Sequence, residues 1–287
     1  MLKNTFCHIP GIGINSERRL WGRGVRSWEG SFDTTLEPGC RTSRESFRGY
    51  VRESIGRLEE SDSAYFARLL PSREQWRLFP EFRDSTAYLD IETNGFMGPR
   101  GYITAISVYD GETVRTYVRG RNLDDFKEDI KRYKVVVTYN GKCFDLPFIE
   151  SHMGVDMRRL AHIDLRFILR DLGFKGGLKG CEKVLGIDRG ELDGVDGYTA
   201  VLLWKDFRWH NNEKALETLL AYNILDVVNL EPLAVIAYNM KLDGTPFSES
   251  HRISMPAGPG PLPFKPDVRT VERILGEQNR YSTHAYY

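Results

Sequence analysis

A chain of 287 residues, 41% of them hydrophobic, exceeds the usual size of one domain and can bury a sizeable core, so one full domain plus a small unit is the natural division. Forty Lys and Arg against forty Asp and Glu leave no formal net charge, which excludes a globally basic surface but not a site that works through local charge. The four cysteines, Cys7, Cys40, Cys143 and Cys181, show no paired spacing, no apolar run reads as membrane-spanning and the first residues carry no signal-peptide pattern, so a cytoplasmic location without a membrane partner is expected.

Residues 1–80 read as a separate, small α-helical unit. His8-Ile-Pro-Gly-Ile-Gly13 is a glycine turn opening a short helix through Ser16-Glu-Arg-Arg-Leu-Trp21, and Gly24-Val-Arg-Ser-Trp28 reads as another turn leading into a second helix. Such a turn can offer backbone N–H groups at a helix start to a nucleic-acid phosphate, with Arg18 and Arg19 placed to assist, together with Arg23 and Arg26. The alternative is a packing unit that buries Trp21, Trp28 and Phe32. Arg41 to Phe79 reads as mostly helical and charged, and Pro80 marks the expected boundary.

Beyond it, strands are expected at about 86–92, 102–109 and 113–118, joined by short turns including Asp110-Gly111, then a helix near 122–132 and a strand at 134–139. This order predicts an antiparallel meander followed by parallel addition. Helices near 146–153, 165–172, 178–185, 197–206 and 213–240 then cover a mixed sheet in an α/β domain spanning 84–245. Residues 246–287 read as a Pro/Gly-rich arm or tail, with one short helix over Arg269–Gln278 and a loose aromatic end, Tyr281 to Tyr287.

Within this domain, Thr86-Ala-Tyr-Leu-Asp-Ile-Glu-Thr93 puts Asp90 and Glu92 on one face of a strand, because strand side chains alternate with period two. Two carboxylates about 4 Å apart repel by roughly 4 kcal/mol at an effective dielectric of about 20, a cost normally tolerated where a cation offsets it. Asn140-Gly-Lys-Cys-Phe-Asp145 turns at Gly141 and enters a helix, so Asp145 sits at a strand-to-helix junction, where an N-cap is the ordinary role. Tyr222-Asn-Ile-Leu-Asp226 places a phenol and a carboxylate four residues apart on one helix face, about 6 Å along the axis.

Taken together, Asp90-x-Glu92, Asn140-x-x-x-Phe144-Asp145 and Tyr222-x-x-x-Asp226 resemble the three motifs of the DEDD exonuclease family, Tyr-containing branch, in the ribonuclease H-like superfamily. Their wording is close to that of family B DNA polymerase proofreading domains. Flanking text, Gly177-Leu-Lys-Gly-Cys-Glu-Lys-Val-Leu-Gly186 and Leu219 to Leu230, looks more like the stand-alone YprB-type exonucleases, and the N-terminal segment resembles half of a helix-hairpin-helix module. The resemblance implies a ribonuclease H-like mixed five-stranded sheet flanked by helices. It further implies a 3′-5′ exonuclease acting on single-stranded 3′ ends with two ions, Mg²⁺ or Mn²⁺, since no clustered His/Cys pattern points to zinc. Asp90 would bridge the ions, Glu92 and Asp226 would complete the site of the nucleophilic water, Asp145 would act on the second ion through water, and Tyr222 would orient the attacking water. Thr93, Asn140, Lys142 and Phe144 are expected to contact nucleic acid, with DNA favoured over RNA on the strength of the N-terminal turn. Lys142 read without that resemblance is a solvated turn residue; Asp164 is open to reaching the acidic pocket or capping a helix, and His162 to neighbouring the site or, more often for such a histidine, packing in the core. Two other functions use the same features: a 3′ exoribonuclease, and a non-catalytic DNA-binding adaptor, which the intact set of four acids and a tyrosine argues against.

Overall fold

The computed structural model describes residues 1–32 and 42–284; Cys40, Arg41 and the last three residues of the aromatic end lie outside them. The chain begins with α1 (Ile14–Gly22), α2 (Arg44–Glu59), α3 (Ser63–Leu69), a 3-10 helix at Ser72–Leu78 and α4 (Phe79–Phe82). The sequence predicts a full second helix after α1. At that place the structure has a single 3-10 turn, Glu29–Ser31, short because Trp28 is fully buried there and its indole Nε1 donates to Thr5 O at 2.7 Å. Side-chain caps explain where α2 and α3 start: Ser43 accepts from Ser46 N, and Asp62 from Tyr65 N.

Next come β1 (Thr86–Thr93), β2 (Ile103–Tyr109) and β3 (Val114–Val118), then α5 (Phe126–Asp129) between 3-10 turns, β4 (Val135–Thr138), α6 (Asp145–Met153), β5 (Ala161–Asp164), α7 (Leu165–Asp171) and α8 (Gly177–Val184). Two long helices, α9 (Gly197–His210) and α10 (Glu213–Leu242), follow, and α11 (Val268–His284) runs further than the short helix expected there. The strands form one mixed sheet in the order β3-β2-β1-β4-β5, with β1/β2 and β2/β3 antiparallel and β1/β4 and β4/β5 parallel. The meander and the parallel addition are therefore as the sequence predicts. β5 is the strand without predicted bounds, for only Ala-His-Ile-Asp pairs with β4 and four residues give too little periodicity to read.

Alternation on β1 sorts the layers. Ala87, Leu89 and Ile91 face Phe126, Ile130 and Phe148 on one side of the sheet. Tyr88 faces the other way, into a cluster with Tyr109, Ile224, Val228 and Tyr238, and α10 covers that face. The same cluster continues through Phe79, Phe66, Trp28 and Trp21, so the N-terminal helices share a core with the sheet. α10 is apolar on every side because it is buried on most of them, with the sheet, α7 and α9 packed around it. By length and composition it could cross a membrane, contrary to the sequence expectation, but 83% of its apolar window is buried inside the fold, which accounts for that character.

Candidate active site

Asp90 and Glu92 leave β1 on the face covered by α10. At the strand's end the pairing with β2 slips, Glu92 lying opposite Ala105 but Thr93 opposite Ile103, a bulge that ends the regular ladder beside the acids. From α10, Tyr222 and Asp226 project one turn apart. One carboxylate oxygen from each of Asp90, Glu92 and Asp226 comes within 4.8 Å of the others. Asp90 Oδ2 also accepts from Asn223 Nδ2 at 2.7 Å.

Burial first, and then the neighbouring carboxylates, push Asp90 and Glu92 well above the usual carboxylate range. Asp226 is raised as well, by burial, with the Arg189 guanidinium opposing the shift. A dication beside these acids would offset their mutual repulsion and the cost of burying their charge. The donor set, three carboxylate oxygens with Asp145 alongside, suits a hard ion such as Mg²⁺ or Mn²⁺.

Asp145 is close enough to raise both Asp90 and Glu92 but stands outside the tight group of three. It is not the N-cap of α6. Phe144 occupies that position without a side-chain cap bond, and Asp145 Oδ1 instead accepts the Ile91 N–H at 3.2 Å, tying the helix start to β1 between the two acids. Burial pushes its carboxyl up to about 7, against the pull of that N–H.

The turn that delivers Asp145 is tightly built. A Cβ on Gly141 would sit 2.2 Å from Thr138 Oγ1, so only glycine fits, and the Gly141 N–H donates to that same hydroxyl at 3.0 Å. Asp164 caps α7 through Arg166 N and also accepts from Asn140 N at 2.8 Å and Lys142 N at 3.0 Å, so both its oxygens are committed to backbone. Asn140 adopts a left-handed conformation, φ 71°, and its Oδ1 accepts from Arg166. His162 Nε2 bonds the Thr138 hydroxyl at 2.8 Å, and burial, then Lys142, pull its pKa down to about 3, so it is a neutral core residue.

Lys142 is not the solvated turn residue the sequence suggests: its Nζ donates to Gln75 Oε1 at 2.6 Å, and burial lowers its pKa. Phe144 packs against Phe148, ring centres 5.6 Å apart, and the Thr93 hydroxyl accepts from Gly95 N at 3.3 Å. In the N-terminal unit Trp21 and Trp28 are buried and Phe32 packs partly against them, while Arg18 and Arg19 are exposed, Arg19 reaching Ser16 Oγ at 2.9 Å.

Two cations at the site escaped the sequence reading. Arg189 donates from Nη2 to Asp226 Oδ1 at 2.6 Å and from Nη1 to both Glu182 oxygens, at 3.0 and 2.8 Å, while Asn229 Nδ2 holds Glu182 at 2.8 Å. Burial works against the Arg189 charge, and the Asp226 and Glu182 carboxylates outweigh it. Lys179 Nζ, which donates to Val195 O, stands 5.0 Å from the centre of the Tyr222 ring, whose other neighbour is the Arg189 guanidinium at 5.4 Å. Glu182 and Lys179 lie in the segment that carries the family resemblance, but neither spacing nor charge marks them as partners of a site. Tyr222 itself is buried, and burial followed by the charges of Asp226, Glu92 and Asp90 raises its pKa, so it keeps its proton.

No curated protein matches this chain. Among solved structures, the family B DNA polymerase from the hyperthermophilic archaeon Pyrobaculum calidifontis is similar at 19% identity and a TM-score of 0.42, over 55% of this chain and 24% of the polymerase. The chain thus spans about a quarter of that protein's length. Residues 87–238, more than half of the sequence, match the family model described as the RNase H superfamily. That stretch holds the whole sheet from the second residue of β1 onward together with Asp90, Glu92, Asp145, Tyr222 and Asp226, and by it the chain belongs to the RNase H superfamily.

Proposed function

We propose that this protein is a metal-dependent 3′-5′ exonuclease of the Tyr-containing DEDD branch, related to the YprB type, which removes mononucleotides from single-stranded 3′ ends, DNA before RNA. The observation that carries this reading is the meeting of Asp90, Glu92 and Asp226 within 4.8 Å, with Tyr222 one helical turn from Asp226. A pair of Mg²⁺ or Mn²⁺ ions would supply an activated water and stabilise the departing 3′ oxygen.

The protein's own part is to hold and orient. Asp90, Glu92 and Asp226 would hold the ions, with Asp145 alongside them as a further carboxylate. Tyr222, protonated and with Lys179 and Arg189 close to its ring, would orient the attacking water through its hydroxyl. Burial keeps bulk water from competing for the acids and strengthens each charge interaction. The N-terminal turn is the DNA-backbone grip in this reading. Exposure of Arg18 and Arg19 supports it, and reversing both charges should weaken binding about equally across sequences and flatten its salt dependence.

Incubation with Mg²⁺ or Mn²⁺ and end-labelled single-stranded DNA and RNA of one sequence tests activity, polarity and sugar preference together. A ladder shortening from the 3′ end, faster on DNA, is the expected result. Intact substrate under all conditions, or shortening from the 5′ end, would overturn the reading.

A further inference from the structure

At the end of the sheet where β1 finishes, past Asp90 and Glu92, lies an open cleft of about 760 Å³. One wall is Tyr102, which is tied twice to Asn94, two residues beyond Glu92: Asn94 N donates to Tyr102 O at 3.1 Å, and Tyr102 N donates to Asn94 Oδ1 at 3.0 Å. The other wall is α9, whose Trp204 Nε1 donates to Tyr102 Oη at 3.2 Å. The cleft is therefore joined firmly to the strand that carries Asp90 and Glu92.

Its charge is arranged in a particular way. Arg119 lies over the Tyr102 ring at 4.5 Å and Arg208 over Trp204 at 6.0 Å, one guanidinium on each wall, and both are exposed. Among the described residues neither has a carboxylate within ion-pair distance. Asp124 at the rim pairs with Lys127 at 2.8 Å and also feels the Arg119 charge, and Arg121 pairs with Glu213 at 2.7 Å. Asp125 also lines the rim and is exposed. The loop after β1 turns Phe96 and Met97 outward, with 45% and 69% of their surface exposed, and Arg100 lies over Phe96 at 5.2 Å.

An arginine stacked on an aromatic ring is held in place while its charge stays available. Two of them lining one cleft, with an exposed aromatic on the loop after β1, suit an extended anion whose flat groups alternate with its charges. We propose that this cleft is the track for the part of a single strand lying 5′ of the terminal nucleotide, with Arg119 and Arg208 binding its phosphates and Phe96 stacking a base at the entrance. This rests on the exonuclease reading and adds to it a binding site separate from the acidic centre.

The test compares the parent with Arg119→Ser/Arg208→Ser and with Arg119→Lys/Arg208→Lys. Binding of a labelled single-stranded 12-mer and of a dinucleotide is measured by fluorescence anisotropy in Ca²⁺ over a range of salt. The serine variant should lose roughly 10- to 100-fold in 12-mer affinity, and its log–log salt slope should fall by about 1.4, the value for two phosphate contacts on a single strand. The preference for the 12-mer over the dinucleotide should collapse, and the lysine variant should recover most of the slope. A serine variant that is folded by circular dichroism and has unchanged 12-mer affinity and slope would overturn the track, as would equal losses on both substrates. If the parent cleaves normally while the variant matches it, only the cleft proposal fails. A parent that neither binds nor cleaves either nucleic acid sinks the exonuclease reading and this inference with it.

Discussion

The guanidinium of Arg189 reaches Asp226 at 2.6 Å and simultaneously grips Glu182 with its other nitrogen, so one oxygen of a site carboxylate is already engaged by the protein. Removing Arg189 would leave Glu182 buried beside Asn229 without a cation, and breaking a buried pair from one side typically costs about 3–5 kcal/mol. Arg189→Met should destabilise the metal-free protein by that order, and Arg189→Met/Glu182→Met by clearly less. Denaturant unfolding of the two variants decides it. Equal losses would mean the pair contributes only volume.

The same contact separates acids that look equivalent in the sequence. Glu92 has no cation in ion-pair contact among the described residues, and Asp226 has one. Glu92→Gln should therefore leave the metal-free protein as stable as the parent or about 1 kcal/mol more stable, because a buried charge conflict is relieved. Asp226→Ala should lose stability, since Arg189 is left half-paired. Both should abolish nearly all cleavage. Thermal melts in chelator, run beside a cleavage assay, check the split, and a stabilised Asp226→Ala would contradict it.

Tyr222→Phe removes one hydroxyl and no metal donor. Its affinity for Mn²⁺, read by titration calorimetry, should match the parent's, while single-turnover cleavage slows by less than in Asp226→Ala. Undiminished cleavage would make the tyrosine a packing residue between two cations.

A pH dependence follows from Asp145. Its carboxyl is raised from 3.8 to about 7 by burial, so over that interval the folded protein binds a proton that the unfolded chain does not. The stabilisation from this group is then complete at low pH and is lost as pH rises through the folded value. At about 1.4 kcal/mol per unit the loss is a few kcal/mol. Asp145→Asn should remove it, so the stability of the parent relative to this variant should fall between about pH 4 and pH 8 in chelator. Buried His162, with its pKa lowered, works in the opposite direction, and comparing the two proteins at each pH cancels it. A difference that does not change with pH would refute the assignment.

Gly141→Ala tests the turn of the second motif. Its Cβ would meet Thr138 Oγ1 at 2.2 Å and Cβ at 2.7 Å, an overlap that the turn can relieve only by moving Asn140 and Asp145 with it. Overpacking of this kind costs about 1–3 kcal/mol, and cleavage should fall as well. Denaturant midpoints and initial rates would show it, and a variant normal in both would mean the turn gives way without cost.

What could be read from the sequence was what is local. Asp90 and Glu92 share a strand and Tyr222 and Asp226 share a helix, so period alone places each pair on a common face. Asp145 was placed at its strand-to-helix junction, but its partner was not, since the Ile91 N–H is 54 residues away. Arg189 joins Asp226 across 37 residues, and Lys142 joins Gln75 across 67, contacts that exist only once the sheet and helices have packed. The helix expected after the Gly24–Trp28 turn is reduced to the 3-10 turn Glu29–Ser31 for a related reason, because burial of Trp28 fixes the chain there more strongly than local preference.

α10 is a structural spine and a site wall at once: Ile224, Val227 and Val228 sit in the core, while Tyr222 and Asp226, interleaved with them, line the acids. Such a helix cannot loosen at the site and stay seated in the core. Loss of cleavage in denaturant should thus coincide with global unfolding, and the amide hydrogens of its middle turns should be among the last in the molecule to exchange.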